Sequence, residues 1–157
     1  MRAIKFLILF ILLTSPIQNS YAESAASIVL NIDNTRQSLN DYKGKLVYLD
    51  FWASWCIPCR KSFPFMNEMQ GKYKDKGLEI IAINLDTDIT LVRKFLKHYP
   101  TQFKIAYDST GDTAEKFNVK AMPTSFLIKR NGEIVATLSG FRKKDAGKIE
   151  KLIQSNL

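Results

Sequence analysis

The sequence predicts an α/β fold in which a central mixed β-sheet is sandwiched by helices. Three observations predict it. Two short runs, Leu46–Phe51 and Ile80–Ile83, are apolar nearly throughout, as strands covered on both faces should be. Segments with apolar residues at helical spacing follow each of them. Near the end, Asn131-Gly132 separates two further apolar runs and marks an antiparallel hairpin. Strands and helices that alternate first and close on a hairpin build a layered mixed sheet. At 157 residues the chain has room for one such domain with a sizeable core. No internal repeat and no low-complexity stretch interrupts it.

The first 22 residues read as an export signal. Met1-Arg2-Ala3-Ile4-Lys5 is a short basic start, Phe6–Leu13 is an unbroken apolar run, and Pro16 breaks it. Ser20-Tyr21-Ala22 then places small residues at the two positions an export peptidase reads. The apolar run is roughly half of the 20 or so residues a bilayer-crossing helix needs. Cleavage after Ala22 is expected, with residues 23–157 as the folded domain; the alternative is an uncleaved anchor. No cysteine lies near the cleavage point, which excludes lipoprotein anchoring there. Cleavage removes Arg2 and Lys5, so the net charge of +8 falls to +6. The remaining surplus sits in Lys72, Lys74 and Lys76, and in Arg142, Lys143, Lys144, Lys148 and Lys151. Such runs read as solvated helix faces, not as a nucleic-acid site. Weak attraction to anionic membranes or acidic partners is what they leave.

Within the domain, Ser27–Asn31 reads as a short strand followed by a polar turn at Asp33-Asn34. The first strong strand is Leu46-Val47-Tyr48-Leu49, continuing through Asp50 to Phe51. Past Trp55-Cys56-Ile57-Pro58-Cys59, Phe63, Met66, Met69 and Tyr73 recur at helical spacing, and Gly77 ends that helix. Ile80–Ile83 is the second buried strand. Leu91, Val92, Phe95, Leu96 and Tyr99 form one face of a helix stopped by Pro100. Phe103–Tyr107 reads as a strand and Ala114–Phe117 as a short helix. Thr124–Ile128 and Ile134–Ala136 flank the Asn-Gly step, where both residues tolerate positive φ. Ala146, Ile149, Leu152 and Ile153 give one face of a closing helix. The methionines and aromatic residues of these segments read as core.

Only two cysteines are present, three residues apart, where a buried strand meets a helix. A structural zinc site needs four ligands, and the single histidine, His98, is distant in sequence; only a dimer would complete such a site. Covalent haem attachment needs His after the second cysteine, and residue 60 is Arg. A purely structural disulfide closes so short a loop that chain entropy supplies about 2 kcal/mol at most, against about 3 for a fifteen-residue loop. The redox reading uses more of the pattern. Residues i and i+3 of a helix have neighbouring Cβ atoms, so a small adjustment joins their sulfurs. Cys56 at the helix N-terminus gains from unpaired N–H groups and the dipole, which favour a thiolate. Pro58 suits the first turn, where its missing N–H costs nothing. Cys56 is then the exposed nucleophile and Cys59 the resolving thiol.

The segment Asp50-Phe51-Trp52-Ala53-Ser54-Trp55-Cys56-Ile57-Pro58-Cys59 resembles the active-site segment of the thioredoxin superfamily. Met122-Pro123-Thr124 resembles its second landmark, a cis-proline loop facing the cysteines. The resemblance runs over roughly residues 40–157 and points to the exported TlpA/ResA-like branch. Asp88–Tyr107 supplies that branch's extra helix and strand before the cis-proline, and Asp41-Tyr42-Lys43-Gly44-Lys45 and Met122–Ile128 are also similar to it. A thioredoxin-like fold with this helix–strand insertion is therefore implied.

The resemblance also assigns roles. Pro123, in cis, presents the backbone of Met122 to a substrate strand beside Cys56, and Trp55 and Pro58 complete the docking surface. Asp50 matches the buried acid that trades a proton with the resolving cysteine. Burial is expected to raise its pKa toward the working pH; the alternative is an Asp held by local hydrogen bonds with no catalytic part. Two positions depart from the pattern. Ser62, ahead of Phe63-Pro64, stands where many members of the branch carry Glu, and Ile80–Leu85 lacks the lysine that pairs with thioredoxin's acid.

The function this implies is an exported thiol–disulfide oxidoreductase that reduces or exchanges disulfides in other proteins through a mixed disulfide. Its compartment would be the bacterial periplasm or the outer face of the membrane. Apocytochrome c is among the candidate substrates. A membrane-bound thiol–disulfide donor would keep the pair reduced, because the periplasm is kinetically oxidising. No cofactor and no metal are called for, nucleic acid is not a partner, and a monomer is expected. Two alternatives stay open: an oxidant that makes disulfides, although Ile57-Pro58 lacks the His such enzymes often carry, and a Cu(I) carrier using both soft thiolates. A peroxidase fits poorly, since Ala53 stands where that family has Thr.

Overall fold

The computed structural model describes residues 28–32 and 35–157. The expected export signal and the Asp33-Asn34 turn lie outside the described residues. Seven strands form one sheet: β1 (Val29–Ile32), β2 (Thr35–Ser38), β3 (Leu46–Trp52), β4 (Leu78–Asn84), β5 (Lys104–Tyr107), β6 (Thr124–Ile128) and β7 (Ile134–Ser139). Among the described residues, four helices cover it: α1 (Ile57–Tyr73), α2 (Ile89–His98), α3 (Asp112–Lys116) and α4 (Ala146–Gln154). The strand order is β2-β1-β5-β4-β3-β6-β7. The β3–β4 and β4–β5 pairs are parallel, and the four remaining pairs are antiparallel. Among the described residues, no helix is long and apolar enough to cross a membrane.

Every residue of β3, β4 and β6 is buried, which is why those strands read as continuous apolar runs. Alternation along the strands divides the interior into two layers. Leu46, Tyr48 and Trp52 of β3 join Ile80, Ala82 and Leu127 under α1, α2 and α4. Val47, Leu49 and Phe51 join Ile81, Ile83 and Phe126 on the opposite face, with Ala114, Phe117 and the β1 residues Leu30 and Ile32. The expected insertion is real, and it has a structural use. Its strand β5 pairs with β4 on one side and with β1 on the other, so it ties the N-terminal hairpin into the sheet.

Local sequence sets the helix limits. Asp88 caps α2 by accepting the Thr90 N–H at 2.8 Å, and the helix ends before Pro100. Asp108 accepts the N–H groups of Thr113 and Ala114, at 3.0 and 2.9 Å, at the start of α3. Helix α1 ends in a 3₁₀ turn, Lys74–Lys76, and then Gly77 at φ 97°. A Cβ at Gly77 would lie 3.1 Å from the Arg130 guanidinium. That guanidinium donates to the carbonyls of Gly44, Lys76 and Leu157. Gly77→Ala is therefore expected to cost about 1–2 kcal/mol, from the left-handed backbone alone. A urea melt checks it: the midpoint falls with the slope unchanged, and an unchanged midpoint refutes it.

Two elements differ from expectation. Strand β2, Thr-Arg-Gln-Ser, is polar and partly exposed at the sheet edge, so no alternation betrays it. At the β6–β7 hairpin, Gly132 alone has positive φ, at 89°, while Asn131 does not. The Gly132 N–H donates to Lys129 O at 2.8 Å, and the Lys129 N–H donates to Glu133 O at 2.8 Å. This is a three-residue loop ending in a left-handed glycine, with a register shift at Leu127/Ile128, and not the two-residue turn expected.

Candidate active site

Strand β3 delivers the cysteines. It ends at Trp52, three residues of connection follow, and Cys56 caps α1 in extended conformation (φ −76°, ψ 105°). Its sulfur accepts the Cys59 N–H at 3.2 Å. The two cysteines form a disulfide with Cα atoms 5.3 Å apart. Pro58 lies exposed in the first turn, where no intrahelical N–H bond is missed. One expectation needs correcting. Cys56 is not openly exposed: it is 4% accessible, and Cys59 is fully enclosed. The exposed groups are its neighbours, Trp55 at 64% and Ile57 at 65%, so two exposed apolar side chains flank a recessed sulfur in the chain.

A second network holds the connection, and sequence reasoning missed it. The buried carboxylate of Asp86, just past β4, accepts from the Ser54 N–H and hydroxyl, both at 2.8 Å. It also accepts from Asn84 Nδ2 at 2.7 Å. Arg60 reaches back from α1 to the Ser54 carbonyl at 3.3 Å. The loop before Trp55 is thereby pinned to the end of the neighbouring parallel strand. The available signal was an acid directly after a buried strand, at the carboxyl end of a parallel pair, where such sheets place their sites.

Asp50 is fully buried on the α1 side of β3. Its Oδ1 accepts from Ser125 Oγ at 2.6 Å, and Ser125 Oγ accepts from Tyr48 OH at 2.9 Å. Among the described residues its Oδ2 has no hydrogen-bond partner, and neither has Trp52 Nε1. Burial pushes the Asp50 carboxyl up to about 7, and the Ser125 hydrogen bond pulls against that rise. Among the described residues no cation offsets the burial, in keeping with the missing lysine. Ser62, at the position expected to hold Glu, is buried and donates to the Cys59 carbonyl at 2.9 Å.

The Met122–Pro123 bond is cis. Phe51 lies opposite Thr124 in the antiparallel β3–β6 ladder, so Met122-Pro123 emerges at the same end of the sheet as the cysteines. Pro123 is buried and Met122 half-buried. The Pro123 carbonyl accepts the Gly140 N–H at 2.7 Å, which joins this loop to the end of β7. The described residues hold no group of three or more His, Cys, Asp or Glu side chains able to grip a metal ion. What the arrangement can do is open and close one disulfide, with the helix terminus favouring a thiolate at Cys56.

Sheet order, a disulfide between a helix-capping cysteine and one in the first turn, and a cis-proline at the same end of the sheet mark one class, the thiol–disulfide oxidoreductases of thioredoxin fold. Comparison with known proteins narrows this. Residues 19–153 match the Redoxin family model, and the chain belongs to that family. It is 39% identical over 123 residues to the thiol-disulfide oxidoreductase ResA of Bacillus thuringiensis subsp. konkukian, covering 78% of this chain and 71% of that protein. The ResA of Bacillus subtilis strain 168 is 35% identical over 122 residues, covering 77% and 68%. Among solved structures, a chain assigned as a thiol:disulfide interchange protein DsbE from Chlorobium tepidum superposes with a TM-score of 0.81 at 46% identity. That match covers 84% of this chain and 94% of the other.

Proposed function

We propose that this oxidoreductase is exported and works in the reducing or exchanging direction, opening disulfides of other proteins in the bacterial periplasm or on the extracytoplasmic face of the membrane. The observation that carries the direction is the uncharged Ile57-Pro58 pair between the cysteines. Without a cationic side chain there, the reduced thiolate has only the helix terminus and the Cys59 N–H for support. A less stabilised thiolate makes the dithiol the better electron donor. Resemblance to the ResA-named relatives supports the same direction.

In this reading the Cys56 thiolate attacks a partner disulfide, forming a mixed disulfide and releasing one partner thiolate. Cys59, deprotonated by Asp50, then attacks Cys56 Sγ and frees the second partner thiol, leaving Cys56–Cys59 oxidised. Trp55, Pro58, Met122 and Pro123 dock the partner strand. Apocytochrome c fits as a substrate class, and a membrane-bound dithiol donor restores the reduced state. The protein acts as a monomer.

The reduction potential of the pair tests the direction, by equilibration of the protein with glutathione or dithiothreitol buffers. A value near or below about −270 mV, thioredoxin's, is expected. A value near about −120 mV, DsbA's, would make the protein an oxidant instead.

A further inference from the structure

We propose that Tyr48 and Ser125 are positioning residues that decide which oxygen of Asp50 carries its proton. They hold Oδ1 as a permanent acceptor and leave Oδ2 as the atom that exchanges a proton with the resolving cysteine. The inference rests on Asp50 being the proton acceptor for Cys59.

Counting hydrogens fixes the direction of the chain of hydroxyls. An ionised carboxylate can only accept, so the 2.6 Å contact to Oδ1 is donated by the Ser125 hydroxyl. Ser125 has one hydrogen, and that donation uses it. Its oxygen is then left to accept the Tyr48 hydroxyl at 2.9 Å. Tyr48 is fully buried, and burial beside Asp50 pushes its phenol upward, so it stays a donor throughout the working range. The chain therefore runs one way, from Tyr48 through Ser125 to Oδ1. Adding a proton to Oδ1 on the side facing Ser125 would force the Ser125 hydroxyl to turn away and give up its donation. Adding it to Oδ2 disturbs neither hydroxyl, because Oδ2 is buried with no partner among the described residues.

The surroundings leave few competitors. On this face of the sheet, β4 presents Ile80 and Ala82, and β6 presents Leu127 beside Ser125. Helices α2 and α4 contribute apolar side chains to the layer. Among the described residues, the titratable groups in that layer or packed against it are Tyr48 from β3, the two cysteines at the start of α1, Tyr73 at the far end of α1, where it donates to Glu150, Tyr99 after α2 and Tyr107 of β5. The step balances simply. The Cys59 thiol gives its proton to Asp50 Oδ2, the Cys59 sulfur bonds to Cys56 Sγ, and the partner sulfur leaves as a thiolate protonated from solvent.

A ¹³C-carboxyl NMR titration of the oxidised protein reads Asp50 directly, since disulfide-bonded cysteines do not titrate. Ser125→Ala removes a donor to the carboxylate and is expected to raise the Asp50 midpoint by about one pH unit or more. Tyr48→Phe should raise it less, and Ser125→Thr, which keeps the hydroxyl, should restore it. The pH profile of single-turnover insulin reduction by the reduced variants should shift in the same direction. A midpoint unmoved or lowered in Ser125→Ala and unmoved in Tyr48→Phe overturns the proposal. Should the alanine variant not fold, an unmoved Tyr48→Phe overturns it alone. An Asp50→Asn variant separates the two levels: if its single-turnover pH profile matches the wild type, the proton-acceptor reading fails, whatever the carboxyl titration shows.

Discussion

Cys56→Ser is expected to reduce insulin no faster than the uncatalysed background, while Cys59→Ser is expected to attack its partner once and then stall. The asymmetry follows from where each sulfur sits. Cys56 caps α1, accepts the Cys59 N–H, and is the more accessible of the two. Cys59 lies one turn inside the helix with no exposed surface, so it meets only a partner already bonded to Cys56. With serine at 59 the mixed disulfide has no resolving thiol and accumulates. Non-reducing electrophoresis and intact mass spectrometry check this, the covalent adduct appearing with Cys59→Ser and not with Cys56→Ser. Multiple turnover by Cys59→Ser, or trapping by Cys56→Ser, would reverse or refute the assignment.

Asp50→Asn is expected to stabilise the oxidised protein at pH 8 by something on the order of 4 kcal/mol and to change it little at pH 4. The folded-state carboxyl is raised from its ordinary 3.8 to about 7. Between those values the folded chain holds a proton that the unfolded chain has released. Stability therefore falls as pH rises through that window and stays low above it. Asparagine cannot ionise, so its burial carries no such penalty. Urea melts at the two pH values decide the matter. An equal difference between variant and wild type at both would mean that Asp50 has an ordinary carboxyl, and its acid–base role would go with it.

The central layer was legible because β3, β4 and β6 are covered on both faces and so carry continuous apolar runs. The cysteine pair was legible for a different reason: few chemistries tolerate Cys-x-x-Cys at a strand–helix junction, and Met122-Pro123 supplied the second landmark. Polar contacts between distant segments were not legible. Ser54, Asn84 and Asp86 converge only because β3 and β4 run parallel and in register, and nothing in three separate polar residues announces that. Ser125 was seen as part of a strand, yet its meeting with Asp50 depends on the β3–β6 register that pairs them. Strand β2 escaped notice because its partner β1, and not its composition, makes it a strand. Burial also ran ahead of expectation at Cys56, whose flanking Trp55 and Ile57 stand out into solvent while the sulfur does not.

Such a recess would let the protein discriminate among thiols at the moment of encounter. Glutathione-sized thiols are small and charged, gain little from exposed apolar neighbours, and must still reach a sulfur that is only 4% accessible. A folding polypeptide with bulky apolar residues around its own cysteine can cover Trp55 and Ile57 together, removing both from water as its sulfur arrives. The difference lies in how long each collision lasts. Discrimination between the bulk thiol pool and a polypeptide client can thus be kinetic, set by residence at Trp55 and Ile57 before any sulfur–sulfur bond is exchanged.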